Sequence, residues 1–232
     1  MERPKTIVYI TILLAITAGY CDTVTFVSVN ELFSAHVTGN FIVFAYDIIK
    51  HADTEAWLKL LSFPVFILAV ITGGAIASRQ VQACTLLLLQ GAILTATGVI
   101  CLILLMTGQQ GMEWVSLVMA MCIVFAMGLQ NAFGKLYGKE TYGPTTMMTG
   151  NVTQAALDLG KVITAGFQDM DVRNSLIHGL VTIIGFLVGC LCGGILAKLI
   201  GLTAVLFPGL ALLGYALARR KNEPAVDPNL HP

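Results

Sequence analysis

Charge is scarce in this 232-residue chain: Asp, Glu, Lys and Arg together make up 11% of it, against about 25% in a soluble domain. So few charges cannot cover a surface against water. The longest hydrophilic stretch is the tail 219–232, where Pro224, Pro228 and Pro232 predict a short disordered end. Basic and acidic residues balance at 13 each, which removes the positive footprint that a nucleic-acid partner needs. The glycine-rich loop that cradles nucleotide phosphates is also missing, so ATP does not drive this protein. Neither a paired nucleophile and base, nor clustered metal ligands, nor a cofactor motif occurs. The sequence therefore predicts no catalytic residue, no metal, no cofactor and no enzyme. The six cysteines are scattered along apolar segments and read as small, reduced, apolar side chains.

What is present is hydrophobic: 56% of residues, with a mean hydropathy of +0.83. About 20 apolar residues of helix cross a bilayer, and runs of that length lie near 6–26, 58–78, 84–106, 114–134, 175–197 and 200–218. A backbone in lipid must satisfy its own hydrogen bonds, so each run predicts a helix. The first run follows Arg3 and Lys5 as a signal peptide would, but it ends without a cleavage pattern and has a counterpart in the second half. It is expected to stay. The fold class is all-α and polytopic, a single membrane domain over 1–218 with the lipid bilayer as its first partner.

The few polar residues recur. Thr38-Gly39-Asn40 followed by Asp47 and Lys50 matches Thr149-Gly150-Asn151 followed by Asp158 and Lys161. Six of thirteen positions are identical, counting Ala45 and Ala156. Ala18-Gly19-Tyr20-Cys21-Asp22 corresponds to Met127-Gly128-Leu129-Gln130-Asn131, and Phe66, Gly73-Gly74 and Ala77 correspond to Phe186, Gly193-Gly194 and Ala197. The chain is a duplication, with repeats over about 6–107 and 114–218. Each repeat holds a helix with a polar end, a Thr-Gly-Asn helix, a Gly-Gly helix and a final apolar helix. If the Thr-Gly-Asn helices are embedded without crossing, six spans result and the repeats are inverted; if they cross, eight spans result and the repeats are parallel. Polarity in 145–164 tilts the reading toward six. Both versions put the two termini in the cytoplasm by the placement of Lys and Arg.

Asn40 and Asp47 are seven apart and share a helix face, as do Asn151 and Asp158. If the two motifs meet near the midplane, they enclose a chamber for a small solute, where duplicated transporters bind their substrates. The candidate pathway residues are Asp22, His36, Thr38, Gly39, Asn40, Gln130, Asn131, Thr149, Gly150 and Asn151. A carboxyl at membrane depth is costly unless it has a function, so Asp22 is a candidate proton carrier and His36 a candidate gate. The solute path requires both asparagines to face one hollow. The competing reading makes these residues interhelical glue in a scaffold or regulatory subunit. Asp47–Lys50 and Asp158–Lys161 fit i,i+3 ion pairs, Glu31 and Glu140 fit solvated loop charges, and the Gly-Gly pairs fit close helix crossings. So few helices leave a homo-oligomer open.

Across Ala18-Gly19-x-x-Asp22, Thr38-Gly39-Asn40, Gly128-Leu129-Gln130-Asn131 and Thr149-Gly150-Asn151, the chain resembles the YoaK-like family of bacterial inner-membrane proteins. The resemblance covers about 8–218. It implies a multi-span protein of a bacterial inner membrane, without an established activity and without ligand residues to carry over.

Overall fold

The structure, a computed structural model, describes residues 3–50, 56–79, 82–109, 113–164 and 169–222. Eight α-helices run in chain order: α1 (Arg3–Ser28), α2 (Gly39–Lys50), α3 (Ser62–Ala77), α4 (Cys84–Met106), α5 (Glu113–Leu136), α6 (Met148–Thr164), α7 (Met170–Ile200) and α8 (Leu206–Asn222). Local chemistry sets several of the ends. Pro64 and Pro208 fall in the first turns of α3 and α8, where a missing N–H costs little. Asp169 caps α7 by accepting from the N–H groups of Asp171 and Val172. Gly201, at φ 58°, turns the chain between α7 and α8 through a 3₁₀ segment, Gly201–Val205. Helix α8 continues through Arg219 to Asn222, past the expected start of the tail; residues 223–232 lie outside the described residues.

Five stretches are long and apolar enough to cross a membrane, and the last, Met170–Arg220, is 51 residues long and contains both α7 and α8. Helix α2 has 12 residues, roughly 18 Å at 1.5 Å per residue, against a hydrocarbon core of about 30 Å. Neither α2 nor the more polar α6 meets the requirement for a span.

Glycine contacts fix the helix directions. Gly185, Gly189 and Gly193 of α7 lie in order against Ile12, Ile16 and Tyr20 of α1, so these two helices run parallel. Gly128 against Phe66 and Ala69, and Gly73 against Ala132, make α3 and α5 parallel as well. Gly91 meets Leu213 and Gly98 meets Leu206, so α4 and α8 are antiparallel. Because α4 and α8 are the matching fourth helices of the two repeats, opposite directions mean inverted repeats. The first helix of each repeat packs on the third helix of the other, and Gly19 faces the Phe186 carbonyl as Gly128 faces that of Phe66. Six legs (α1, α3, α4, α5, α7, α8) therefore alternate in direction, and both ends of the described chain lie at one face. We call this the terminal face.

Helix α1 sits at the centre, with 61% of its apolar window buried, whereas the Ala56–Ala77 leg is the most peripheral at 17%. Ile10, Leu14, Leu86, Leu94, Ile123, Met127, Leu129, Phe133 and Leu212 form the core between the repeats. Apolar side chains cover the outside, including Ile42 and Ile49 on α2 and Leu157 and Ile163 on α6. Helix α2 thus turns a greasy face outward and buries Asn40 and Asp47, whereas α6 exposes polar and apolar residues alike and buries one charged residue, Asp158.

Candidate functional site

Two re-entrant loops define the polar interior. After α1, Asn30 and Glu31 take left-handed φ values of 41° and 60° and reverse the chain. The loop then returns to Asp22, whose Oδ1 accepts from the Ala35 N–H at 2.7 Å. Asp22 lies six residues before the end of α1, so the loop re-enters by roughly 9 Å. In the second repeat Thr145 returns to Gln130, six residues before the end of α5, with Nε2 donating to Thr145 Oγ1 at 3.0 Å. The loops enter from opposite faces, as inverted repeats require. Non-helical backbone at such depth persists only where protein or a water-filled cavity surrounds it.

At the first loop, Asp22 is 4% exposed. Its Oδ1 also takes a long contact from the His36 N–H at 3.4 Å, and its Oδ2 lies 2.5 Å from His36 Nδ1. The Phe186 ring meets the imidazole edge-on at 5.6 Å. The bonded carboxylate pushes the His36 imidazole above its usual 6.5. At the second loop the matching bonds are neutral. Asn131 Oδ1 accepts from Thr146 Oγ1 at 2.7 Å, and its Nδ2 donates to the Met127 carbonyl at 3.0 Å.

Gln130 is 1% exposed and sits at a junction of both repeats. Its Nε2 also donates to the Leu14 carbonyl of α1 at 2.8 Å, and its Oε1 accepts from Gln90 Nε2 of α4 at 2.7 Å. Gln90 is fully buried. Its Oε1, and the buried Thr17 Oγ1 on α1, have no hydrogen-bond partner among the described residues. A buried acceptor without a donor costs free energy, and such atoms mark places where water or a ligand belongs. Gln90 is absent from the residues expected from sequence, although it is the one amide in an apolar helix, and that singularity was the available signal.

The Thr-Gly-Asn motifs take a different place from the one predicted. Asn40 is fully buried and wraps the backbone of Phe33: its Nδ2 donates to Phe33 O and its Oδ1 accepts from Phe33 N, each at 2.8 Å. It also donates to Ser62 Oγ at 2.8 Å. Asn151 repeats the grip once, donating to the carbonyl of Pro144, also seven residues back, at 2.7 Å. Proline has no N–H to complete the pair. Thr38, Thr149 and Gly150 are exposed, and a side chain at Gly150 would meet nothing within 4 Å. Helices α2 and α6 stand at opposite ends of the bundle; the cavity that Asn151 lines, beside Tyr142 and His178, does not include Asn40. The motif-lined chamber is thereby overturned: inversion sends the two motifs to opposite faces, where each anchors its own loop.

The acidic residues are corrected in the same way. Asp47 pairs with Lys59, both about 95% buried, in place of Lys50. Asp158 accepts from Gln154 Nε2 at 2.9 Å and Ser175 Oγ at 2.7 Å, in place of Lys161. Glu140 joins Arg219 at 2.6 Å and is not a free loop charge. The Gly-Gly pairs split: Gly73 and Gly193 are close-crossing residues, whereas Gly74 faces open space. A cavity of about 360 Å³ opens opposite the terminal face among Ser28, Leu104, Ser116, Lys198 and Thr203. A second, of about 280 Å³, lies at the terminal face beside the stacked rings of Tyr142 and His178.

These features define a multi-pass, all-α membrane protein with inverted repeats and two re-entrant loops. The chain belongs to a family described as a protein of unknown function, DUF1275, whose model matches residues 10–218. No curated protein and no solved structure matches it.

Proposed function

We propose that this protein is a small-solute permease in an occluded state, whose polar site is Gln90, Gln130, Thr145 and Thr17. The observation that carries the reading is the pair of opposed re-entrant loops converging on α1. The first loop bonds α1 directly at Asp22, and the second reaches α1 at Leu14 through Gln130 of α5; these points lie eight residues apart, roughly 12 Å, and the unpartnered Thr17 hydroxyl falls between them along the helix. Inverted repeats that meet around broken, polar segments suit alternating access, in which one repeat rocks against the other. The two end cavities would then be vestibules at the two ends of α7, separated by the stretch where Gly185, Gly189 and Gly193 pack on α1. The resemblance noted above supports a bacterial inner membrane, and the concentration of Lys and Arg at the terminal face supports a cytoplasmic placement of both termini.

The test begins with a thermal-shift screen of purified protein against small polar metabolites, because a ligand of the folded state raises its melting temperature. A hit is then followed as uptake into proteoliposomes. Gln90→Met keeps the side-chain volume and removes the amide, so it should abolish both the shift and the uptake. Normal uptake in Gln90→Met and Gln130→Met would refute the site. The anchoring bonds of Asn40, and the absence of a hollow shared by the motifs, favour the competing scaffold reading. A scaffold would lose a co-purifying partner in these variants and would have no flux to lose.

A further inference from the structure

The two loop anchors occupy equivalent places but differ in one chemical respect: only the first can ionise. From the geometry we infer that Asp22 and His36 form a proton-binding site, loaded from the face where α1 ends, whose protonation holds the first re-entrant loop closed while the second loop ignores pH.

Asp22 lies inside the Thr6–Ser28 apolar leg and is almost fully buried. A carboxylate there is expensive unless an opposite charge accompanies it. The basic group in contact with it is His36, 34% exposed at the side chain and therefore reachable from that face. The other groups facing the carboxylate are the Cys21 thiol on its own helix and the Cys190 thiol on α7; Tyr20 lies beside Cys21, and the Phe186 ring covers the imidazole. None of them supplies a cation. When the imidazole is neutral, its Nδ1–H donates to the carboxylate and the site keeps one negative charge. One proton on the second ring nitrogen brings the site to zero, with no other bond formed or broken. Low dielectric favours the neutral total, so protonation tightens the pair and with it the Ala35 and His36 backbone that the same carboxylate holds.

The duplication supplies an internal control. Asn131 stands where Asp22 does, and Met147 where His36 does, so the second anchor itself has nothing to titrate; the histidine nearest that loop, His178, stacks on Tyr142 and touches neither anchor residue. A coupling proton would therefore act on one gate only. This coupling role rests on the permease reading; the proton site itself does not.

The direction in pH follows from the raised imidazole. A group held above its free value of 6.5 lends stability that is complete below that value and is lost as pH climbs through the higher, folded one. Hydrogen–deuterium exchange of the full-length protein in detergent, corrected for intrinsic rates, reads this loop by loop. Between about pH 6 and about pH 9, which brackets histidine titration, residues 33–38 should lose roughly tenfold or more of their protection, one pKa unit being a factor of ten. Residues 144–149 should keep theirs. Asp22→Asn should flatten the response of the first loop, and His36→Gln, which can still donate to Asp22, should flatten it without removing the bond. Exchange at 33–38 that ignores pH, or a response that survives both substitutions, would overturn the proton site. A clear pH response in a protein that moves no solute would leave the proton site standing and sink the permease.

Discussion

Replacing the twin asparagines one at a time separates an anchor from a pathway residue. Asn40 makes three hydrogen bonds to Phe33 and Ser62 inside a fully buried pocket, whereas Asn151 donates to the Pro144 carbonyl and otherwise makes a long 3.9 Å contact to Met148 Sδ beside a more open surface. Hydrogen bonds inside membrane proteins average about 0.6 kcal/mol each, because the unfolded chain in the membrane also finds partners. Loss of three is then worth about 2 kcal/mol. Asn40→Ala also strands the N–H and C=O of Phe33, and a buried polar group without a partner costs about 1–3 kcal/mol. The sum for Asn40→Ala is about 3–5 kcal/mol, against about 0.6 kcal/mol for Asn151→Ala. Equilibrium unfolding in mixed micelles measures both on one scale. A ratio near one would refute the reasoning, since two residues in matched motifs would then be worth the same despite their different partners. A loss of solute uptake in Asn151→Ala at full stability would refute it from the other side, by showing that the residue touches the cargo.

Two further predictions use the same method. Lys59→Met leaves Asp47 as an uncompensated buried carboxylate and should cost about 3–5 kcal/mol; Lys59→Met with Asp47→Leu should recover most of it, and unfolding midpoints of the single and double variants decide the matter. Gly73→Val drives a side chain into Ala132, whose Cβ would stand 2.6 Å from a new Cβ, whereas Gly74→Val enters open space. The first should cost about 1–3 kcal/mol, as overpacking does, and the second almost nothing; equal melting temperatures would show that Gly73 does not set the crossing.

Composition and motif spacing made the membrane class and the eight helices legible, six as apolar legs because lipid imposes a fixed length on them, and two as short polar Thr-Gly-Asn helices. The repeat correspondence was legible too, and the contacts of Gly19 with Phe186 and of Gly128 with Phe66 follow it residue for residue. The direction of the second repeat was not. Counting Lys and Arg separates inside from outside, but it gives nearly the same split for six spans as for eight. The antiparallel crossing of α4 and α8 resolves the direction, and it depends on residues more than a hundred positions apart. The acidic pairings were misjudged for a related reason. The i,i+3 rule describes a helix in water, where the nearest charge along the helix is the best partner. At the edge of a bilayer, Asp47 and Asp158 instead turn inward to Lys59 and Ser175, and leave Lys50 and Lys161 outside.

Inversion also explains why the repeats could diverge where they did. Related by an axis in the membrane plane, the two loops face different compartments and are exposed to different solutions. On the permease reading, a titratable anchor would be useful where the outside pH varies or differs from that across the membrane, and an anchor of amide and hydroxyl would leave the opposite loop indifferent to it. The packing residues Gly19 and Gly128 serve the same crossing on either side and stayed alike, whereas Asp22 and Asn131, Cys21 and Gln130, and His36 and Met147 all separate at the loop contacts. Gln130 is the residue that this divergence freed to reach across to Leu14 and Gln90. The scaffold reading requires only that both loops be held, and a symmetric pair of asparagines would do that. On the permease reading, the differences at the loop contacts fall on the polar bonds that a moving loop would break, which is where halves that open to different faces would need to be unequal.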